Sequence, residues 1–328
     1  MEQLTENWSG ALTDEEKEEL VRVESWRGWL TIAVNWGIIA GAFALVAYSP
    51  GFVTVLIAMF LIGARQLGLA VVMHEAAHRS LLADPVLNDR VGNWLAAYPV
   101  WSDCEPYRLY HLQHHAKTWT EEDPDLALAK GWPAGRASMM RKIVRDLTGQ
   151  TGWKRARATL RRDLGISRGK VKRSVGGLKN LRGVIITNAA LLALLALTGH
   201  PELYLLWIAS WLTTYSLVMR IRAIAEHSMI TDPADPMANT RTTLCSWWER
   251  LFIAPSRVNY HLKHHLMMRV PHYKLPRLHR MLRERGALRE ACVTKGYAQV
   301  LRMAMSDPAL GTGGTGAAGD TSRSMTWG

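Results

Sequence analysis

The chain has 328 residues, of which 48% are hydrophobic, and a formal net charge of +12 at pH 7. Basic charge can indicate nucleic-acid binding, but nearly all of it here lies in two stretches, 79–182 and 220–302, that follow apolar segments. The three cysteines form no CxxC pair, which excludes a disulfide framework and argues against an iron–sulfur or zinc-thiolate site.

The N-terminal segment, residues 1–27, is predicted to be a polar lead-in to the first apolar stretch. The run Thr13-Asp14-Glu15-Glu16 is a capping-box pattern, in which a threonine and a glutamate three residues later satisfy free amides at a helix start. We expect an amphipathic helix from this point, with its acidic residues on a solvated face.

Four stretches, 29–48, 52–73, 183–199 and 203–219, are apolar enough to cross a bilayer, because about 20 residues of helix span its hydrocarbon core. The second stretch is interrupted only by Arg65 and Gln66. The connections 49–51 and 200–202 are too short to be anything but turns. The predicted fold is therefore an all-α integral membrane protein with four transmembrane helices in two hairpins.

This topology also accounts for the basic charge. Excess Lys and Arg mark the cytoplasmic loops of membrane proteins, and the two tight turns contain neither residue. We therefore predict that both termini lie in the cytosol, where segments 74–182 and 220–305 form a helical cap. On this interpretation the protein has membrane lipid around it and no nucleic-acid partner.

Several parts of the predicted cap do not span the membrane. The stretch 94–101 is apolar but too short to cross, so we expect an interfacial or re-entrant piece. Basic residues 136–182 fit helices that lie on the membrane surface or that pack against the cap itself. A further helical stretch is predicted at 275–305, and the Gly-, Ala-, Thr- and Ser-rich tail 306–328 is predicted to be disordered.

Nine of the twelve histidines fall into four short clusters. Residues three and four apart share one face of a helix, so each cluster can direct two or three imidazoles at one point. Imidazole is the commonest metal ligand among side chains, and nine exceed what one ion can take, so the pattern predicts two metals. The nine are His74, His78, His111, His114, His115, His227, His261, His264 and His265. The predicted topology places all of them on the cytosolic side.

The spacing alone leaves the chemistry open. The run from His74 to His78, HEAAH, matches the HExxH pattern of zinc proteases, but a catalytic zinc needs only three protein ligands, which leaves six histidines unexplained. A metal transporter is another alternative. Transport would call for ionisable residues near the bilayer centre, and only Arg65 lies well inside a predicted span.

The histidine runs and their neighbours resemble the integral-membrane fatty-acid desaturase superfamily, which also contains hydroxylases and carotenoid ketolases. The resemblance covers most of the chain, from the first span to about residue 279. The segments that carry it are His74-Glu-Ala-Ala-His78, His111-Leu-Gln-His114-His115 with Asp123-Pro124-Asp125, Glu226-His227, Asn259-Tyr260-His261-Leu-Lys-His264-His265 and Val270-Pro271-His272-Tyr273-Lys274-Leu275-Pro276.

The resemblance implies a single desaturase-type membrane domain over residues 28–305 with two non-haem iron ions held by the nine histidines. It implies O₂ as co-substrate, two external electrons, and a fatty-acyl substrate linked to CoA, a carrier protein or a lipid. The electrons would come from a separate donor such as ferredoxin or cytochrome b5. Insertion of a double bond is the expected reaction, and hydroxylation or ketolation is the alternative within the superfamily.

Metal-bound histidines usually donate their second N–H to a carboxylate or a carbonyl. We expect such orienting roles for Glu75, Asp123, Asp125 and Glu226, and name Asn259 and His272 as further candidates. Certain acyl-CoA desaturases carry an asparagine one turn before the lone histidine, where it holds a water on the metal. Here that position is Ala223, so the ligands of one iron are not fully accounted for.

Overall fold

The computed structural model describes residues 8–166, 177–289 and 291–306. Except for Ser306, the predicted disordered tail lies outside these residues. The chain is largely helical, as predicted. Its first helices are α1 (Asp14–Val21), α2 (Ser25–Tyr48), α3 (Phe52–Ala77), α4 (Pro85–Gly92), α5 (Cys104–Lys117), α6 (Leu126–Ala129), α7 (Arg136–Leu147) and α8 (Gln150–Asp163). They are followed by α9 (Gly177–Leu197), α10 (Leu203–Leu212), α11 (Thr214–His227), α12 (Trp247–Phe252), α13 (His261–Leu266), α14 (Leu275–Glu284) and α15 (Tyr297–Ala304).

Three helices of the described chain are long and apolar enough to cross a membrane. They cover Ser25–Tyr48, Phe52–Ala77 and Leu178–Leu197, and so correspond to the first three predicted spans. The second of them, α3, is the central helix, because it packs against α2, α5, α10 and α11. Its C-terminal half is buried almost throughout, which fixes the histidines at its end within the protein.

The fourth predicted span, 203–219, is not one helix. It is divided into α10 and α11 at Thr213, whose backbone has φ −110° and ψ −86°. Arg155 of α8 donates to the carbonyl oxygen of Trp211 at 2.5 Å and to Ser216 Oγ at 2.9 Å. Gly152 permits this approach, since a Cβ there would lie 2.1 Å from the Leu212 carbonyl oxygen. A distant helix therefore packs into the break, which an apolar run in the sequence does not reveal.

The basic helices α7 and α8 pack on the protein with one face. Met139 and Asp146 are buried, and Asp146 forms an ion pair with Arg220 of α11 at 2.5 Å. Their other face exposes large apolar side chains, among them Val144 and Trp153. The two alternatives raised for this segment are thus not exclusive, because packing on the protein leaves an apolar face free.

The shorter elements complete the fold. A π-helix at Asn93–Ala97 and a 3₁₀ helix at Tyr98–Val100 occupy the stretch predicted not to span. Two three-residue strands, β1 (Thr242–Leu244) and β2 (Val293–Lys295), form a parallel pair. This pair was not predicted, because strands this short show no periodicity and pair only through long-range contact.

The predicted capping box is confirmed, since Thr13 and Glu16 make both reciprocal hydrogen bonds at the start of α1. The acidic face of α1 is not simply solvated, however. Glu16 pairs with Arg285 at 2.6 Å and Glu19 with Arg277 at 2.5 Å. Leu20 packs in the same apolar cluster as residues of α14. The N-terminal segment is therefore attached to the C-terminal part of the chain.

Candidate metal centre

The structure brings all nine clustered histidines together. Those of α3, α5, α11 and α13 meet because α3 packs against both α5 and α11, and α13 packs beside β1. Their potential ligand atoms fall into two sets, and within each set these atoms lie within 4.8 Å of one another. The five-histidine set is His74, His78, His111, His115 and His264, and the four-histidine set is His114, His227, His261 and His265.

The two HxxHH motifs are each divided between the sets. His111 and His115 of α5 belong to the five-histidine set, while His114 joins the other. In α13 the division is reversed, with only His264 in the five-histidine set. Each motif therefore directs two imidazoles, four residues apart, at one set and its third imidazole at the other set. At 3.6 residues per turn, residues i+3 and i+4 lie about 60° to one side and about 40° to the other side of residue i.

Within the sets the Nε2 atoms face one another. In the four-histidine set, His227 Nε2 lies 3.2 Å from His114 Nε2 and 2.7 Å from His261 Nε2. In the five-histidine set, His115 Nε2 lies 3.0 Å from the Nε2 atoms of His111 and His264. A neutral imidazole has one donor and one acceptor nitrogen. Several converging Nε2 atoms are therefore better placed to coordinate a shared cation than to form hydrogen bonds with one another.

His114 has the best-defined carboxylate partner. Its Nδ1 lies 2.8 Å from Asp123 Oδ1, and Asp123 itself accepts from the backbone amides of Trp119 and Asp125. Asp125 lies farther away, with Oδ2 at 3.9 Å from His114 Nδ1. Its Oδ1 accepts from the Tyr110 hydroxyl at 2.5 Å. Asp123 can thus fix the tautomer that leaves the His114 Nε2 lone pair free.

Glu75 lies between the five-histidine set and the C-terminal part of the chain. Its Oε1 is 3.5 Å from His74 Nδ1, and its Oε2 accepts from the backbone amide of His272 at 2.9 Å. His272 Nδ1 is 3.2 Å from the same oxygen, and His272 Nε2 lies 3.0 Å from Thr31 Oγ1. His272 therefore reaches the metal-ligand candidates only through Glu75.

The other two candidates for orienting roles differ from each other. Glu226 Oε1 lies 3.6 Å from His261 Nδ1 and accepts from Arg222 Nε at 2.6 Å. Asn259 instead donates from Nδ2 to the Thr243 carbonyl oxygen at 2.8 Å, so its recorded contact is to β1 rather than to a histidine. Among the described residues, the position of Ala223 adds no donor to the four-histidine set.

Two neighbours of the centre were missed at the level of sequence. Tyr107 stacks on His111, with ring centroids 5.2 Å apart and planes 13° from parallel. Arg222 lies one turn before Glu226 and forms the ion pair described above. The i, i+4 spacing of both pairs is a usable signal in the sequence.

Burial keeps most of these imidazoles neutral. It lowers the pKa of His111, His261, His264 and His265 well below the usual value for histidine, and lowers that of His115 as well. His114 differs. Burial lowers the pKa of His114 too, but the hydrogen bond to Asp123 and the nearby carboxylates outweigh burial, so that the pKa of His114 is raised. A neutral imidazole is the form that binds a metal.

The donor set fits a metal centre. Within the described part of the chain, His74 Nδ1, His74 Nε2 and His78 Nε2 are buried without a hydrogen-bond partner. Such unpaired buried nitrogens are costly unless something else binds them. Coordination by a metal ion would satisfy one nitrogen of each residue and would also separate the converging Nε2 atoms.

Comparison with known proteins agrees with this chemistry. The fatty acid desaturase family matches residues 50–295. Dihydrorhizobitoxine desaturase of Bradyrhizobium elkanii is 27% identical, over 78% of this chain and 75% of its own. The sn-1 oleoyl-lipid 12-desaturase of Synechocystis sp. is 26% identical, over 79% and 76%. The chloroplastic omega-6 fatty acid desaturase of Brassica napus is 23% identical, over 81% and 62%. With three apolar helices and a match over most of its length, the chain is a membrane oxidoreductase that belongs to the fatty acid desaturase family.

Proposed function

We propose that the two histidine sets each hold one iron ion and that the protein inserts a double bond into a fatty-acyl chain. The observation that carries this proposal is the convergence of nine imidazoles in two sets beside a desaturase-type sequence. Imidazole suits iron, zinc and copper, but zinc has no redox chemistry, and a desaturase must remove electrons from its substrate.

The reaction balances with O₂ and an external donor. One O₂ takes four electrons and four protons to become two waters. Two hydrogen atoms come from a –CH₂–CH₂– unit, two electrons from the donor and two protons from solvent. The bound iron pair would supply the O₂ chemistry, as cofactors generally do. The chain's own part is to hold the histidines, exclude water from the buried centre and position one carbon of the substrate.

Individual residues have separate tasks in this proposal. The nine histidines bind the metals, Asp123 orients His114, and Glu226 orients His261. Glu75 holds His74 and, through His272, ties α3 to the C-terminal part of the chain. The electron donor would be a separate protein such as ferredoxin or cytochrome b5, because the three cysteines are scattered and provide no fused iron–sulfur centre.

We further propose that α10 and α11 together form a fourth, broken span. Residues 203–227 would extend about 37 Å at 1.5 Å per residue, which exceeds a hydrocarbon core of about 30 Å. Both termini and the metal centre would then lie on the cytosolic side, as the distribution of Lys and Arg favours. A reporter fused after Ser306 tests this, since a periplasmic or extracellular signal there contradicts the topology.

Metal analysis of the purified full-length protein tests the diiron assignment. We expect about two irons per chain, whereas one zinc per chain and no iron would overturn it. Analysis of lipids and pigments in a host that expresses the chain tests the reaction. A new double bond in acyl chains supports desaturation, and an added hydroxyl or keto oxygen assigns one of the alternative reactions instead.

A second candidate is a desaturase whose substrate is not a fatty-acyl chain. It is favoured by the similarity to dihydrorhizobitoxine desaturase, whose identity of 27% is no lower than the 26% of the oleoyl-lipid enzyme. Unchanged acyl chains in an expressing host, together with about two irons in the purified protein, would favour this second candidate.

A further inference from the structure

A surface cavity of about 800 Å³ lies beside the metal centre. It is bordered by the residue that follows His78, by α4, by the first half of α5 and by the start of α9. Its volume is within the range typical of sites for small ligands. Five cationic side chains line it, namely Arg79, Arg90, Arg108, Lys179 and Arg182.

The cavity carries more positive charge than its own carboxylates can balance. Asp89 is bound by Arg108 at 2.6 Å and 3.2 Å, and Glu105 lies 3.7 Å from Lys179. No hydrogen bond or ion pair of the side chains of Arg79, Arg90 or Arg182 occurs within residues 8–166, 177–289 and 291–306. These three guanidinium groups therefore give the cavity an uncompensated positive charge.

The inner wall of the cavity is fixed. Besides Asp89, Arg108 binds the carbonyl oxygens of Ala76 and Ala77 at the end of α3. Gly183 of α9 packs directly on the ring of Tyr98, since a Cβ there would lie 2.5 Å from that ring. Contacts between helices thus fix this wall of the cavity, whereas the side chains of Arg79, Arg90 and Arg182 around it are exposed.

One side of the cavity is aromatic and apolar. Trp94 and Tyr98 line it, with their rings 5.3 Å apart in an edge contact, and Val86 lies beside them. Trp94 and Val86 are exposed. Tryptophan and tyrosine favour the boundary between headgroups and hydrocarbon in a membrane. The cavity therefore combines a cationic part with a part suited to a lipid interface.

We propose that this cavity binds the phosphate ester of an amphiphile. Arginine binds phosphate through two parallel hydrogen bonds, and three arginines without partners face the space. Excess basic charge on one side of a membrane explains why such residues occur, but not why three of them surround one cavity unpaired. Resting on the proposed acyl desaturation, we infer that the amphiphile is the substrate, because Arg79 directly follows His78 and Arg108 lies one turn before His111.

The phosphate ester has two possible sources, a membrane phospholipid or a soluble acyl carrier such as coenzyme A. Binding to the purified full-length protein in detergent separates them, with short-chain phosphatidylglycerol as one probe and coenzyme A as the other. The test variant is Arg90→Gln with Arg182→Gln. The matched control is Lys154→Gln with Arg157→Gln, which removes the same charge from exposed positions of α8 outside the cavity.

We expect the test variant to bind at least one probe about a hundredfold more weakly, since each charge-assisted hydrogen-bond partner contributes about tenfold. The control variant should bind like the unchanged protein. The probe whose binding depends on Arg90 and Arg182 identifies the source. Equal weakening in both variants, no weakening in the test variant, or no binding of either probe would overturn the proposal. Thermal unfolding of each variant shows that it is folded.

This assay does not depend on turnover or on iron. An inactive protein that still binds phosphatidylglycerol or coenzyme A through Arg90 and Arg182 would contradict the proposed desaturation and support the phosphate site. If the protein is an active desaturase but its binding of phosphatidylglycerol and coenzyme A does not depend on these arginines, only the phosphate site is contradicted.

Discussion

The two histidine sets differ in how the surrounding protein supports them. The four-histidine set has carboxylates beside two of its members, with Asp123 at 2.8 Å from His114 and Glu226 at 3.6 Å from His261. Among the described residues, the five-histidine set has only Glu75 as a neighbouring carboxylate, at 3.5 Å from His74, and it contains buried nitrogens without a hydrogen-bond partner. The hydrogen bond between Asp123 and His114 thus organises one set in advance, whereas the other set depends more on its metal for order.

Removing a ligand from either set should have the largest effect. We expect His264→Ala and His114→Ala each to abolish product formation, because the proposed reaction needs both metals to reduce one O₂. Product analysis and iron content per chain measure this. His200→Ala is the matched control, since His200 lies outside both sets and contacts Glu202. Activity retained by either ligand variant would remove that residue from the centre.

The effect of metal removal on thermal stability should distinguish the two histidine sets. A chelator is expected to lower the Tm, since a ligand at about a thousand times its Kd stabilises the folded state by about 4 kcal/mol. The His74 and His78 nitrogens would then be left unpaired, so most of the loss should come from the five-histidine set. Accordingly, the chelator should shift the Tm of His264→Ala less than that of His114→Ala. Equal shifts would contradict the difference between the sets.

The two carboxylates offer a direct comparison. Asp123→Asn should weaken metal binding by about 10- to 100-fold, as expected when a partner of a ligating histidine is lost. Glu75→Gln should weaken it less, because the Glu75–His74 distance is longer. It should instead lower the free energy of unfolding by about 1–3 kcal/mol, through the contacts with His272. Metal titration and denaturant unfolding measure the two effects, and the reverse order would show that Glu75 is the main orienting group.

The change that Asp123→Asn makes to the pH dependence of the metal-free protein should be the smallest effect. At least five histidines have a lowered pKa in the folded state, so the unfolded chain binds more protons below about pH 6.5. Folding stability should therefore fall as the pH drops below that value. His114 has a raised pKa and opposes this trend, since its contribution is present at low pH and is lost as the pH rises. Asp123→Asn should therefore steepen the decline of Tm between pH 7.5 and 5.5, and an unchanged slope would contradict the role of Asp123.

Patterns within a few residues were sufficient to predict much of this molecule. The first three spans, the capping box at Thr13 and the grouping of nine histidines depend on spacing and hydropathy, and the structure contains each of them. The break at Thr213 was not predictable from such patterns, because Arg155 packs into it from another helix. The β1–β2 pair and the partners of Glu16 and Glu19 depend on long-range contacts in the same way.

Local sequence patterns likewise did not predict which histidines make up each set. Spacing predicts which histidines share a helix face, but the orientation of α5 relative to α13 decides which histidine joins which set. Likewise, Asp123 and Glu75 were expected near their histidines, whereas the contact of Asn259 with Thr243 depends on where β1 lies. Local periodicity identifies candidate ligands, and tertiary packing assigns them.

The division of both HxxHH motifs has a thermodynamic consequence. Because α5 and α13 each contribute to both sets, a cation bound in either set restrains both helices. Binding of the first cation then already includes part of the conformational entropy lost when the two helices are ordered, so the second cation binds at a lower entropic cost. This is the basis of positive cooperativity without a change of shape. Linkage makes this coupling reciprocal. The two sites would therefore tend to fill and empty together.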